Sequence, residues 1–503
     1  MSGQSPRGSH ASRIFILIVV IGGVVVWQYW LRGEQASMEA ARTSVLDEAA
    51  TPREPAPPTD PPVEHGEGAP PPPRPPISAA APAGCPDDEA EDEGFVRPSL
   101  WELIRLEDQE LIDRVPQLSR DASHELAGGL AALGAGRMRE GVDAAMRAPD
   151  RHRDGFDVGV AMALHAATIA YTNRRLDEAV SFAETATEQN PSHPLAHALL
   201  AMAHAEIGEL RSAQRSMSRA AELEPEEPAI QLALARMSAD AGELGVARSS
   251  VDAYLTMVPE DSLVRTWRAR IAARAELSET FADRSWDGIR VLFHDGGASP
   301  LDVDAIMRWI HDAMGATARV SGRPRRRELT VVVYATPEDL RRATCSPSWS
   351  GAIFDGVLHL DRARMARPDA ERTVRHEAAH AQLAQVRGAI PFWLNEGLAQ
   401  WIEGDLTAAK RGRLLRMAQR GVWIPFESLE GSFLVIEDPT DAAAAYDQSL
   451  AMVRWLIARE GQRSIADALE RIEAGASHDV LTAVSPGADG PGLLRYLASL
   501  EAD

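Results

Sequence analysis

Pro191, Pro225 and Pro259 stand 34 residues apart, and no other feature constrains the fold of this chain as strongly. Leu176, Leu210 and Leu244 keep the same interval, as do Ala179, Ala213 and Ala247, and Gly208 and Gly242. A period of this length is one helix, a turn and a second helix, with small residues where helices approach closely and a proline closing each unit. One unit cannot bury its apolar face alone, so the units must stack into an array whose concave side is suited to protein or peptide partners. Three units are clear between about 160 and 260; a weaker one lies at about 126–148, and 264–277 reads as a closing helix.

Past residue 277 the interval is lost and an α/β pattern begins. Ile289 to Phe293 and Leu329 to Tyr334 are short runs rich in β-branched residues and read as strands, with a helix at 301–314 between them. Arg323 to Arg327 is a basic turn, read as a solvated loop. Gly351 to Phe354 and Val357 to Leu360 flank Asp355-Gly356, a strong hairpin signal.

The stretch Arg375-His376-Glu377-Ala378-Ala379-His380 follows. On a helix, side chains four residues apart share a face, so His376 and His380 can ligate one metal ion. Pro368 suits the first turn of that helix, Val374, Ala378, Leu383 and Val386 recur at helical spacing, and Gly388 offers a stop. Glu377 sits at the edge of the metal-binding face, placed to take a proton from a water that a bound zinc ion acidifies. Two ligands hold zinc poorly, and catalytic sites commonly add a third. A second helix, Pro391 to Gly404, offers Glu396 just off its apolar stripe of Leu394, Leu398 and Trp401. Glu403, two turns on, is the rival third ligand, but at the helix end it reads rather as a solvated charge.

These motifs carry two resemblances. The 34-residue units resemble the tetratricopeptide repeat. His376-Glu377-Ala378-Ala379-His380, followed by Asn395-Glu396-Gly397-Leu398-Ala399, resembles the gluzincin metallopeptidases, most closely the peptidase MA-like domains, over about 280–460. That resemblance implies zinc held by His376, His380 and Glu396, with Glu377 as the catalytic base. It also implies a sheet whose edge strand, Gly351 to Phe354 or Val357 to Leu360, pairs with substrate backbone. Tyr446, in Ala445-Tyr446-Asp447-Gln448-Ser449-Leu450, looks like a residue that follows the zinc motifs in such domains, where its hydroxyl could stabilise an oxyanion; a packed helix tyrosine is the alternative. Related domains often carry an acid near Gln400, so the amide here leaves support for the histidines unassigned.

Net charge is −22, which argues against nucleic-acid binding because phosphate recognition needs a basic surface. Cys85 and Cys345 are too few for a disulfide framework or a cysteine zinc site; they read as spectator thiols, with a bond between them as the alternative. Residues 14–31 are uncharged and about long enough to span a membrane, with Trp27, Tyr29 and Trp30 at one end. They read as an uncleaved anchor. The basic residues Arg7 and Arg13 before it place the amino terminus in the cytoplasm and the rest of the chain outside, periplasmic if the source is bacterial. Residues 51–98, rich in proline, alanine and acids, cannot bury a core and read as a disordered spacer. The C-terminal region is mostly helical, clearest from Thr440 to Glu460, and His294, His311 and His359 read as ordinary surface or core histidines.

The expected architecture is multidomain: a cytoplasmic tail at 1–13, a transmembrane helix at 14–31, a linker at 32–98, an all-α tetratricopeptide-like solenoid at 99–277 and an α+β metallopeptidase-like domain at 278–503. The expected function is that of a membrane-anchored zinc peptidase whose repeats recruit substrate or a partner. An inactive tetratricopeptide scaffold, or an envelope-binding protein, is the alternative.

Overall fold

The computed structural model describes residues 99–120, 122–153, 156–296, 301–346, 351–404, 407–420 and 439–474, together with 424, 429, 433, 492, 493, 495 and 496. The anchor and linker expected at 14–31 and 32–98 lie outside the described residues. Among the described residues no helix is long and apolar enough to cross a membrane.

A helical, solenoid-like region comes first. Helix α1 (Leu100–Leu118) precedes a hairpin of α2 (His124–Gly134) and α3 (Met138–Arg147). A short ribbon of β1 (His152–Arg153) and β2 (Phe156–Asp157) leads into three helical pairs. These are α4 (Val158–Thr172) with α5 (Leu176–Gln189), α6 (Pro194–Glu206) with α7 (Leu210–Leu223), and α8 (Pro228–Asp240) with α9 (Leu244–Met257); α10 (Ser262–Ser278) closes the stack. Local chemistry sets the starts: Pro194 and Pro228 occupy first-turn positions, where the missing N–H costs nothing, and the Asp157 and Asp261 carboxylates cap α4 and α10. The alanines at 179, 213 and 247 are buried, so the sequence interval marks the contacts between paired helices.

The C-terminal domain is built on a five-stranded mixed sheet, β3 (Phe281–Trp286), β4 (Ile289–His294), β5 (Leu329–Tyr334), β6 (Ala352–Phe354) and β7 (Leu358–Asp361), in the order β3-β4-β5-β7-β6. Helix α11 (Val303–Ser321) connects β4 to its parallel neighbour β5, and α12 (Pro337–Thr344) follows β5. Strand β5 is buried on both faces, which is why Leu-Thr-Val-Val-Val-Tyr reads as an apolar run without alternation. Strand β3 has an exposed, polar outer half, which hides it in the sequence. After the short α13 (Arg362–Met365), α14 (Ala370–Leu383) carries the His-Glu motif and packs with α11 and α15 (Phe392–Glu403) over one sheet face. Helices α16 (Ala408–Arg420), α17 (Pro439–Glu460) and α18 (Arg463–Glu473) form a second core with the N-terminal part of α15.

The repeats lean on this domain through their turns. Arg174, Gly208 and Gly242, again 34 residues apart, are the left-handed residues between paired helices, with φ of 62°, 78° and 79°. A Cβ on Gly208 would lie 3.0 Å from the backbone nitrogen of Arg327, so glycine also permits the close approach. Arg174 tolerates the same conformation while its guanidinium bonds Glu206 at 2.8 Å and the Gln385 carbonyl at 3.4 Å, beyond the end of α14. The basic turn Arg323 to Arg327 is therefore not the solvated loop expected. Arg326 is buried and its N–H donates to Gln382 at 2.9 Å, Arg323 pairs with Glu473 at 2.6 Å, and Arg327 pairs with Glu209 of the repeats.

The β6–β7 hairpin forms the other contact. His359 is fully buried: its Nε2–H donates to Asp355 at 3.0 Å, and its Nδ1 accepts from the Tyr334 hydroxyl at 3.0 Å. Asp355 also pairs with Arg274 of α10, and its carbonyl accepts from Arg236 of α8 at 2.7 Å. Burial, reinforced by Arg274, pushes the His359 pKa down to about 4. As pH falls from the ordinary histidine value toward 4, the unfolded chain binds a proton that the folded chain refuses, so stability drops through that window by about 3 kcal/mol. A His359→Asn variant should lose that slope in urea denaturation compared between pH 7.5 and 4.5.

Cys345 is disulfide-bonded rather than the spectator thiol expected. The chain's one other cysteine, Cys85, lies outside the described residues.

Candidate metal centre

Helices α14 and α15 meet so that one side chain of α15 closes over two of α14. Arg375 ties them by donating to the Ile402 carbonyl at 3.0 Å, and Arg372 by pairing with Glu403 at 2.8 Å. His376, His380 and Glu396 thereby converge, with ligand atoms within 4.8 Å of one another. The two Nε2 atoms are 3.2 Å apart. Glu396 brings one oxygen to 3.3 Å from His376 Nε2 and the other to 3.5 Å from His380 Nε2.

What lies behind the rings decides what can lie between them. His376 Nδ1 meets the Glu403 carboxylate at 3.2 Å and His380 Nδ1 meets Asn395 Oδ1 at 3.1 Å. Both partners are acceptors there, so each Nδ1 is the protonated nitrogen, and in the neutral ring each Nε2 presents a lone pair. Two lone pairs and a buried carboxylate facing one another need a cation among them. Glu396 Oε2 is buried with no hydrogen-bond partner, as a ligand awaiting a metal would be. The residues present therefore fit a divalent metal in a His, His, Glu set.

The surrounding carboxylates call for a positive charge. Burial disfavours a charged His376, yet the carboxylates of Glu396 and Glu403 outweigh it and push its pKa up to about 10, so they favour a cation between them, a proton or a metal ion. Burial also opposes the Glu396 carboxylate, but His380 and His376 more than compensate and lower its pKa. Glu377 differs: burial dominates, the histidines offset it only in part, and its pKa is raised. A carboxyl shifted toward neutrality beside a metal site is suited to proton transfer.

Tyr446 reaches this pocket from α17. Burial first, and then the carboxylates of Glu396 and Glu377, raise the pKa of its hydroxyl, which stays protonated as a donor. Phe433 packs edge-on to its ring at 5.1 Å. Gln400, the residue at the unassigned support position, instead braces α17 by donating to the Tyr446 carbonyl at 2.7 Å and accepting from Lys410 at 2.9 Å. Gly397 permits the same approach, since a Cβ there would lie 2.5 Å from the Ser449 carbonyl oxygen and 2.6 Å from Val453 Cγ2.

Sequence reasoning missed the support of both histidines. Glu403 is not the solvated charge expected and lies outside the converging set of His376, His380 and Glu396; its carboxylate meets His376 from behind, at Nδ1. Its spacing of seven from Glu396, two helical turns, was the available signal. Asn395 announced itself only by standing next to Glu396. Alanine at either position should weaken divalent-metal affinity by about 10–100-fold, measured by competition with a chromophoric chelator. Of the two candidate edge segments, Val357 to Leu360 is interior, because β7 pairs with both β5 and β6; β6 is the edge.

Residues 310–498 match the family model of the Peptidase MA superfamily, and residues 170–237 match that of a tetratricopeptide repeat. No curated protein matches the chain. Among solved structures, MamA from AMB-1 is similar at 19% identity over 30% of this chain and 80% of its own, with a TM-score of 0.23. A thermophilic tetratricopeptide-repeat protein of Thermus thermophilus is similar at 20% identity over 35% of this chain and 99% of its own, also with a TM-score of 0.23.

Proposed function

We propose that this chain, in which tetratricopeptide repeats precede a Peptidase MA superfamily domain, is a zinc-dependent peptidase held at a membrane by residues 14–31. The observation that carries the reading is the facing pair of imidazole Nε2 atoms with Glu396 across from them and Glu377 alongside. Zinc held by His376, His380 and Glu396 would supply a Lewis acid that polarises a peptide carbonyl and acidifies water at neutral pH.

The protein's own groups complete the chemistry. Glu377 takes a proton from the attacking water as its oxygen bonds to the carbonyl carbon, and delivers that proton to the amine nitrogen as the carbon–nitrogen bond breaks. Tyr446 donates its hydroxyl hydrogen to the oxygen on which negative charge develops. Strand β6 is the sheet edge beside α14, the place where an extended peptide adds to the sheet by its backbone and with little demand on sequence. The repeats recruit substrate or an adaptor, and the 32–98 linker sets the reach. The disulfide at Cys345 supports an oxidising compartment, in keeping with a catalytic domain outside the cytoplasm.

The test is digestion of an unfolded protein by the full chain supplied with zinc, read by mass spectrometry of the fragments. Cleavage that stops with a chelator and returns with added zinc is expected. A folded, zinc-loaded chain that cuts no unfolded protein or peptide would overturn the reading.

A further inference from the structure

Helix α1 sits on the repeats as a ligand sits in a receptor. It packs against α4, α6 and α8, the first helices of three successive units, and so runs along the face that such a stack turns inward. One stripe carries the contact: Leu100, Ile104, Leu111 and Leu118 are all buried against the repeats. Acids flank the stripe and meet imidazoles. Asp108 accepts from His165 of α4 at 2.6 Å, and Glu107 accepts from His193, the cap of α6, at 2.9 Å. His193 Nδ1 accepts from the Ala196 N–H at 3.3 Å, so its Nε2 must be the donor to Glu107. At one end the Trp101 ring lies 5.5 Å from Tyr171, and at the other Arg114 lies 4.6 Å over the ring of Phe156.

The fit is good but not that of a permanent core element. The opposite side of α1 faces solvent, leaving Leu106 69% and Ile112 45% exposed. Pro116 inside the helix removes one backbone hydrogen bond. Thr168 of α4 lines a small void with Ile104, Glu107 and Asp108, and its buried hydroxyl has no hydrogen-bond partner. The receptor surface thus offers a donor that α1 does not use.

We propose that the inner face of the repeats is a groove for an acidic amphipathic helix, that α1 is its resident occupant, and that a partner protein enters by replacing α1. The partner helix carries apolar residues at the spacing of Leu100, Ile104, Leu111 and Leu118, with adjacent carboxylates placed like those of Glu107 and Asp108. This names the partner class for the recruiting role proposed above and is independent of whether the metal site is active.

A fluorescent synthetic peptide of residues 99–119 tests it, titrated by anisotropy into the full chain and into the full chain bearing Ile104→Asp with Leu111→Asp. A tethered α1 competes at an effective concentration near millimolar, so the opened variant should bind the peptide at least about 10-fold more tightly than the parent. A peptide carrying Glu107→Lys with Asp108→Lys should bind the opened variant at least about 10-fold more weakly. A folded opened variant that gains no affinity would overturn the groove, and equal binding of the charge-reversed peptide would overturn the acidic requirement. Should the variant not fold, hydrogen exchange on the parent decides: faster exchange in α1 than in α4 and α6 is expected, and equal protection would overturn replacement. Zinc content, measured on the same samples, separates failure of this proposal from failure of the peptidase reading.

Discussion

Replacing Glu377 by glutamine is expected to leave the metal bound and to lower peptide turnover by roughly 10³-fold, within the range general acid–base groups supply. Glu377 is not among the three converging ligand side chains, so removal of its charge does not open the metal set. Its raised pKa says that burial already works against the carboxylate, so the amide, nearly identical in shape, should fold at least as well as the parent. Loss of activity with unchanged zinc content and an unchanged melting curve would assign the proton transfer to Glu377. Full activity in the variant would remove Glu377 from the mechanism.

The second large effect is expected at Gly397. In an exposed helix interior, glycine to alanine gains up to about 1 kcal/mol from propensity alone. Here the added Cβ meets a backbone carbonyl of α17 at 2.5 Å, and a carbonyl cannot turn aside as a flexible side chain can. The overpacking cost should exceed the propensity gain, leaving Gly397→Ala destabilised by roughly 2 kcal/mol and Gly397→Val by more. Separation of α15 from α17 would also carry Tyr446 away from Glu396, so hydrolysis should fall more than stability explains. Denaturant unfolding and turnover, measured on the same samples, distinguish the two losses; an Ala variant more stable than the parent would contradict the packing account.

Much of this arrangement is legible in the sequence wherever one element carries its own pattern. The 34-residue columns identify helical pairs, because each unit repeats the same close approaches. His376 and His380 announce a shared helix face by their spacing of four. Legibility ends where meaning depends on a distant partner. Arg323 to Arg327 is an ordinary basic run until Glu209, Gln382 and Glu473 are brought to it by the fold. Glu403 looks like a helix-end charge until α14 supplies His376 and Arg372. Helix α1 belongs to no repeat, so the interval that marks its neighbours passes it by; only the stripe from Leu100 to Leu118 marks it, and that stripe does not say which surface receives it.

The repeats and the C-terminal domain meet at a defined junction. Three successive repeat turns touch the sheet, the basic turn and the end of the helix that carries His376 and His380, whereas α1 lies on the inner face of the same repeats. A partner bound in the groove would thus be held in a defined place relative to the metal site.

Zinc in the purified full chain, supplied with zinc and washed of excess, should approach one ion per chain by elemental analysis, and His380→Ala and Glu396→Ala should lose it while remaining folded. A folded parent that takes up no zinc, or ligand variants that retain it as well as the parent, would contradict the three-ligand site and the peptidase reading built on it.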